Sequence, residues 1–511
     1  MKAANKAIIN VGILYGKAII TAGLVLLSTR WVLQALGEED YGIYNLVGGI
    51  IAMFSFLNVA MVAASQRFLS FAIGQNRNEV LNNTFKASVI LHIVIGVIVL
   101  FLFEIMGRYL MCNHLSIPEN KLNDAMIVLH FLSITAFLTI TTVPYQAILN
   151  SHENMLTISL INIYESVMNI GIAVILLKYY GNRLILYAFL VMVLTLSSMI
   201  VTRYYCHRFY PEVRGNIFAF KDYGLFKKMF SFAGWNFIGS ISSLLRNQGL
   251  AMLMNSFFGI IVNASYGIAT QVNGQAQFFS RTIIRALQPQ IVKSEGANDR
   301  ARMIRISLAT CKIPFLILSL VVVPLFVEMD FVLSLWLTEI PKYTSLFCSV
   351  ILWITLIGQL KMGLAIAIES IGNIKWYQIV CGGLHFTVLP VAWICYKMGE
   401  SAVYGLYFIL FEETLIVFLT SLFAHHNADI PLRYYYLKII IPTVSTVLGC
   451  MLICYLCLDW ITNQWIHIFF FTIFYVGLVG LISYLFVLNM WERNIIKSFT
   501  HRFIDKILKK E

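Results

Sequence analysis

Residues 8–33 read IINVGILYGKAIITAGLVLLSTRWVL. As a helix this run is about 39 Å long, enough to cross a bilayer core of about 30 Å. Two cations, Lys17 and Arg30, interrupt it. A short acidic turn follows, Gly37-Glu38-Glu39-Asp40-Tyr41-Gly42, and a second apolar run then extends to Ser65. Gln66-Arg67 and a polar segment, Gly74-Gln75-Asn76-Arg77, close the stretch. The pattern is that of a membrane hairpin with cations inside its first helix and at its exit. A diverged copy begins near Phe232.

The rest of the chain agrees with a bilayer environment. It has 511 residues, of which 59% are apolar and 12% charged, with mean hydropathy +0.78. Soluble domains carry about 25% charged residues. Apolar runs recur from end to end, so the expected class is an all-α polytopic membrane protein. Lys2 and Lys6 ahead of the first run resemble a signal peptide, but the run is too long and lacks a clear cleavage site. It reads as a retained helix. The net charge of +12 has no compact basic domain to occupy, which argues against nucleic acid as a partner, and the positive-inside rule accounts for it. The nine cysteines lie mostly in apolar runs. Cys450, Cys454 and Cys457 share a helix face, where small buried hydrophobes are the default and a metal or disulfide role is the alternative.

About fourteen spans are expected: 8–33, 42–65, 86–110, 124–146, 156–178, 184–205, 229–253, 263–284, 304–327, 343–366, 375–396, 403–424, 436–458 and 466–489. An even count places both termini on one side. Cations cluster in 203–228 (Arg203, Arg208, Arg214, Lys221, Lys227, Lys228), in 281–305 (Arg281, Arg285, Lys293, Arg300, Arg302, Arg305) and in the tail (Arg493, Lys497, Arg502, Lys506, Lys509, Lys510). All three fall on the same face, so both termini are expected in the cytoplasm. The opposite loops are too short for an extracytoplasmic catalytic domain.

Internal similarity organises these spans. Tyr41-Gly42-Ile43 recurs as Tyr266-Gly267-Ile268, and Gly74-Gln75-Asn76 is echoed by Gly296-Ala297-Asn298. Leu149-Asn150-Ser151-His152-Glu153-Asn154 has a looser counterpart in Glu369-Ser370-Ile371-Gly372-Asn373. Six spans separate the copies, so the halves share one orientation, as in parallel-repeat transporters. The expected organisation is an N-terminal lobe (1–206), a cytoplasmic linker (207–228) containing Pro211 and Gly215, and a C-terminal lobe (229–425). Two extra helices and a basic tail (426–511) follow. The space between two pseudo-symmetric six-helix lobes is the expected site.

An ionisable group at the bilayer centre costs about 2.5–3.5 kcal/mol on insertion scales, so each invites an explanation. The cations in or at the ends of lobe helices are Lys17, Arg30, Arg67, Arg246, Arg281, Arg285, Lys312 and Lys361. The anions are Glu104, Glu165, Glu369, Glu412 and Glu413. Arg246 lies deep in span seven, within Ser242-Ser243-Leu244-Leu245-Arg246-Asn247-Gln248. Asn273, Gln277, Arg281 and Arg285 repeat at i, i+4 and form one polar, increasingly basic stripe. Interhelical hydrogen bonding is the alternative role for Asn273 and Gln277, and marking the membrane face the alternative for Arg281 and Arg285.

The cation excess on spans one, two, seven and eight points to an anionic substrate. Arginine suits phosphate because its planar fork donates two parallel hydrogen bonds. The candidate substrate-binding residues are therefore Lys17, Arg30, Arg67, Arg246, Asn273, Gln277, Arg281 and Arg285. Glu165 and Glu369 are candidates for ion coupling, a structural ion pair being the alternative for Glu165. No catalytic constellation stands out: there is no phosphate loop, zinc motif or spaced Ser-His-Asp set. His425-His426 near Asp429 reads as a solvated loop. No cofactor, metal or enzymatic activity is expected.

The chain resembles the multidrug/oligosaccharidyl-lipid/polysaccharide exporter (MOP) superfamily, and more closely its polysaccharide-transporter branch with the O-antigen (Wzx-type) flippases. The residues that carry the resemblance are Leu36-Gly37-Glu38-Glu39-Asp40-Tyr41-Gly42-Ile43-Tyr44, Ala64-Ser65-Gln66-Arg67-Phe68, and Ala286-Leu287-Gln288-Pro289 followed by Gly296. It covers roughly residues 5–425, and the last two spans look like the extension of fourteen-span members. The resemblance implies two six-helix lobes that open alternately to the two sides. It also implies an oligosaccharide on undecaprenyl diphosphate as substrate, flipped across a bacterial cytoplasmic membrane for surface polysaccharide synthesis. The prenyl tail would stay in lipid while Lys17, Arg30, Arg67 and Arg246 supply positive charge. A coupling ion, H+ or Na+, and a monomeric state complete the expectation. The rivals are a drug/cation antiporter of the same superfamily, a membrane glycosyltransferase or polymerase, and a lipid II flippase.

Overall fold

The structure is a computed structural model that describes residues 2–52, 55–113, 117–217, 220, 222–337, 339–458, 460–494 and 497. These residues are helical with no strand among them. The helices are α1 (Lys2–Ala52), α2 (Ser55–Gly74), α3 (Asn78–Asn113), α4 (Glu119–Ser151), α5 (Met155–Lys178), α6 (Arg183–Phe209), α7 (Tyr223–Phe258) and α8 (Ile260–Gly296). They continue as α9 (Arg300–Val327), α10 (Met329–Trp336), α11 (Thr344–Ile371), α12 (Lys375–Lys397), α13 (Val403–Ala428), α14 (Leu432–Leu458) and α15 (Gln464–Val487). The protein is thus an all-α polytopic membrane protein.

Eleven helical stretches among the described residues are long and apolar enough to cross a membrane, which leaves the expected count of about fourteen unestablished. Two of the three spans short have a physical reason: helices α7 and α8 are not among the eleven, because they carry the polar runs Ser242–Gln248 and Asn273–Arg285 that singled them out in the sequence. The third, 42–65, runs over residues 53 and 54, which lie outside the described residues. Of the basic residues used to orient the chain, Lys221, Arg502, Lys506, Lys509 and Lys510 lie outside the described residues.

The acidic turn is shorter than expected. The helix of α1 breaks at one residue, Gly37 (φ 76°, ψ 173°), and Glu38–Gly42 are already helical. Only glycine adopts this backbone region without strain. Glu38, Glu39 and Asp40 sit in the first turn after the break, where the positive end of the helix dipole favours carboxylates. Asp40 Oδ1 also accepts from Lys121 Nζ at 2.7 Å.

Two pairs of backbone breaks recur at one spacing along the chain. Gly37 and Gly259 (φ 82°) share the left-handed sign of φ, as do Asn76 (φ 53°) and Asn298 (φ 57°). Both pairs are 222 residues apart, from 37 to 259 and from 76 to 298. Helix thus resumes at Glu38 and begins at Ile260, each one residue past a left-handed glycine, and α2 and α8 each end two residues before a left-handed asparagine.

The chain divides into two compact units. One comprises Asn10–Ser240 with Gly296–Asn298, and the other holds the remaining described residues. In the first, α4 packs on α2, α3 and α6, around Leu69, Phe85, Tyr145 and Ile148 at one end and Val47, Val128 and Leu129 at the other. The segment after α6 folds back onto this unit. Pro211–Val213 form a 3-10 turn, Val213 is buried, and Asn82 Nδ2 donates to the Glu212 carbonyl at 2.8 Å. In the second unit α11 packs between α9 and α13 over a core that includes Leu318, Phe347, Leu352 and Leu406. Helices α14 and α15 join that same core through Val447, Cys454, Phe471 and Tyr475. His425 and His426 are not in a loop: they occupy the last turn of α13, and no metal-holding group of His, Cys, Asp and Glu occurs among the described residues.

Candidate functional site

The densest group of ionisable side chains lies in the second unit, where α7, α11, α12 and α13 meet. Two adjacent acids on α13, Glu412 and Glu413, are both buried. Neighbouring helix positions point about 100° apart, so the two carboxylates serve different partners. Glu412 Oε1 is 2.5 Å from His385 Nδ1, and Glu412 Oε2 accepts from Arg246 Nη1 at 3.2 Å. Glu413 Oε1 accepts from Lys361 Nζ at 2.5 Å, with Arg246 Nη1 4.0 Å from its other oxygen. Arg246 Nη1 also lies 3.1 Å from His385 Nδ1. Two carboxylates thus meet two cations. Any one of them buried alone would be strongly destabilising, at about 3–5 kcal/mol.

Two local features position this network. In α12 a π-helical turn, Gln378–Gly382, precedes His385. Such widened turns recur at functional sites because they shift the register of the side chains that follow. On α11, Gly358 makes room for Glu413: a Cβ there would stand 2.7 Å from Glu413 Oε1.

The other expected residues are distributed over both units. On α8, Asn273 Oδ1 accepts from Thr355 Oγ1 at 2.7 Å, and Gln277 Nε2 donates to Thr355 Oγ1 at 3.1 Å. These two residues therefore tie α8 to α11. Arg281 and Arg285, further along the stripe, are exposed. In the first unit, Arg30 is exposed and Lys17 half-buried on α1. Arg67 is buried on α2, its guanidinium 4.5 Å from the Phe68 ring centroid, 4.8 Å from that of Phe71 and 5.6 Å from that of Phe232. An aromatic setting of this kind holds a cation by the ring quadrupoles. Glu165 accepts from Ser198 Oγ across α5 and α6. Glu369 is half-buried near the end of α11.

Sequence reasoning gathered Arg246 but left its partners aside. Glu412, Glu413 and Lys361 stood out only as intramembrane charges, and His385 not at all. The available signal was the doublet Glu412-Glu413 inside an apolar run, since two adjacent buried acids require two compensating cations.

Comparison with known proteins fixes the family. The family model of polysaccharide biosynthesis proteins matches residues 8–295. A putative O-antigen transporter of Shigella flexneri is 24% identical over 401 residues, covering 77% of this chain and 90% of that protein. Among solved structures, a MATE transporter in the bent conformation superposes with a TM-score of 0.73 at 15% identity, covering 84% of this chain and 98% of that one. A MOP superfamily transporter from Pyrococcus furiosus gives 0.69 at 14% identity, covering 84% and 96%. At such identities the structures speak for the fold alone. The chain belongs to the polysaccharide biosynthesis protein family, and its fold is that of the MATE and MOP superfamily transporter structures.

Proposed function

We propose that the protein moves an oligosaccharide linked to undecaprenyl diphosphate from the cytoplasmic to the outer leaflet of a bacterial cytoplasmic membrane, for surface polysaccharide synthesis. Access to the substrate alternates between the two sides, the protein acts as a monomer, and both termini lie in the cytoplasm. The observation that carries this reading is a set of arginines on α1 and α8 without an ion-pair partner. Among the described residues, Arg30, Arg281 and Arg285 are exposed and make no ion pair. A diphosphate is the complementary ligand, because guanidinium groups bind its oxygens in pairs. A cation substrate would require the opposite balance.

Arg246 takes a different role in this scheme. It is committed to Glu412, Glu413 and His385, so it serves the coupling of transport to an ion. Arg246 and Lys361 already neutralise both carboxylates, which leaves no free carboxylate for Na+. His385, the one imidazole of the network, has Nδ1 against both Glu412 Oε1 and Arg246 Nη1, and we assign it the coupling proton, which makes H+ the coupling ion.

The test is the sidedness of lipid-linked oligosaccharide in cells depleted of the protein and complemented with variants. Accumulation on the cytoplasmic leaflet, relieved by wild type but not by Arg281→Ala/Arg285→Ala, is the expected result. Normal sidedness with a new drug sensitivity would overturn the reading in favour of an antiporter.

A further inference from the structure

Helix α3 presents a continuous apolar stripe outward. Val94, Ile98, Phe101 and Ile105 are all exposed, Ile105 by 70%, and they recur at the three- and four-residue spacing of one helix face. The stripe ends in a cleft of about 510 Å³ between α3 and α4, lined by Glu104, Ile105, Arg108, Tyr109, Cys112, Asn113 and His130.

Depth along the helices places this cleft. From Lys86 to Arg108, α3 rises about 33 Å, and from His130 to Ser151, α4 rises about 32 Å. Both lengths match a hydrocarbon core of about 30 Å. The cleft therefore sits where hydrocarbon gives way to head groups, and exposed Tyr109 beside it is the residue type expected at that level.

The charges in the cleft are arranged in an unusual way. Glu104 and Arg108 are one helical turn apart, a spacing that ordinarily pairs them. Instead Glu104 Oε2 lies 2.6 Å from His130 Nδ1 on α4. Arg108 is exposed and makes no ion pair among the described residues. Its guanidinium faces a cleft that also offers a carboxylate with a second oxygen to spare. One donor fork and one acceptor, at head-group depth above an apolar track, match a zwitterion joined to a hydrocarbon chain.

We propose that the α3–α4 cleft binds a phospholipid with a primary-amine zwitterionic head group, of the phosphatidylethanolamine class. Arg108 takes the phosphate through paired N–H donors. Glu104 accepts from the ammonium, and one acyl chain lies along Val94, Ile98, Phe101 and Ile105. A quaternary ammonium has no N–H to give Glu104, and an anionic head group meets its charge.

The experiment titrates the purified full-length protein in mild detergent with chain-matched phosphatidylethanolamine, phosphatidylcholine and phosphatidylglycerol, reading bound lipid by native mass spectrometry. Phosphatidylethanolamine should bind about tenfold more tightly than the other two, a difference of one hydrogen-bonded ion pair. Arg108→Gln should weaken binding of all three. Glu104→Gln should abolish the preference for phosphatidylethanolamine over phosphatidylcholine and leave phosphatidylcholine binding unchanged. Arg108→Lys, which keeps the charge and loses the fork, should fall between wild type and Arg108→Gln. Equal binding of all three lipids to wild type, or a preference that survives Glu104→Gln, would overturn the proposal. Soluble glycerophosphoethanolamine separates a lipid site from a phosphate-ester site: it should compete poorly, and competition as strong as that of the lipid would rule out the chain-binding track.

Discussion

Lys312 and Glu492 form an ion pair buried inside the second unit, with Nζ 2.6 Å from Oε2 and both side chains at most 3% exposed. Lys312 lies in the middle of α9, whereas Glu492 follows α15, so the pair fastens the end of the chain to the core. The Val487 carbonyl accepts from Lys312 Nζ at 3.1 Å, and the Asn489 N–H donates to Glu492 Oε2 at 2.8 Å. At the other end of α15, His467 Nδ1 contacts Glu328, the residue between α9 and α10. Helix α15 is thus flanked at both ends by ionisable pairs that tie it to α9 and the residue following α9.

Removing one partner of such a pair leaves a buried charge. Lys312→Met should destabilise the protein by about 3–5 kcal/mol, whereas Lys312→Met/Glu492→Met should recover most of that loss. Thermal unfolding in detergent checks both, and additive losses would show that the pair is not coupled.

Gly358 and Glu413 make a second case of close approach. Gly358→Ala places a methyl against Glu413 Oε1 and should displace that carboxylate from Lys361. The expected result is a loss of transport larger than the loss of stability, read as surface polysaccharide at equal expression. Gly383→Ala, which meets nothing within 4 Å, is the matched control.

Position 37 tests the break in α1. Gly37→Ala forces a side chain into a backbone region that glycine alone occupies readily, at a cost of about 1–3 kcal/mol. Gly48→Ala, in helical backbone with open space around its Cβ, should instead stabilise by about 0.5–1 kcal/mol. Opposite shifts in melting temperature are the expected readout.

The turn after α6 should respond to acid. Burial acts to raise the Glu212 carboxyl pKa, but the hydrogen bond and charge of His152, 2.6 Å away, outweigh it and hold the value below the usual 4.5. A carboxyl whose folded pKa is depressed contributes stability above its unfolded value and loses it as pH falls through the folded one. Hydrogen exchange of residues 205–215 should therefore accelerate as pH drops below about 4.5 relative to the rest of the first unit. Glu212→Gln should remove that local pH dependence, and an unchanged profile would refute the assignment.

The coupling network gives a last expectation. If His385 carries the coupling proton, His385→Gln should abolish the dependence of transport on a proton gradient while Glu413 remains paired with Lys361. Gradient-driven transport measured in vesicles at several pH values decides this, and retained coupling would move the proton to another group.

Much of this architecture was legible in the chain itself. Apolar runs bounded by cations identify membrane helices because each span must satisfy its own backbone in lipid. The glycines and asparagines of the repeat mark the same backbone breaks in both halves, because few other residues tolerate a left-handed φ. Asn273 and Gln277 were recognisable as a polar face, since helical spacing alone decides which residues share one. The length of the acidic turn was not legible, because whether Glu38–Gly42 continue a helix depends on a single φ at Gly37.

What only the tertiary structure decided is which charges are already spent. Lys312 and Arg246 look alike in sequence to Arg281 and Arg285, each a cation on a membrane helix. The folded chain brings Glu492 to Lys312 from 180 residues away and Glu412 to Arg246 from 166 residues away, and it leaves Arg281 and Arg285 exposed. Attraction between two ions depends on their separation in space and on the dielectric between them, and neither is a function of distance along the chain.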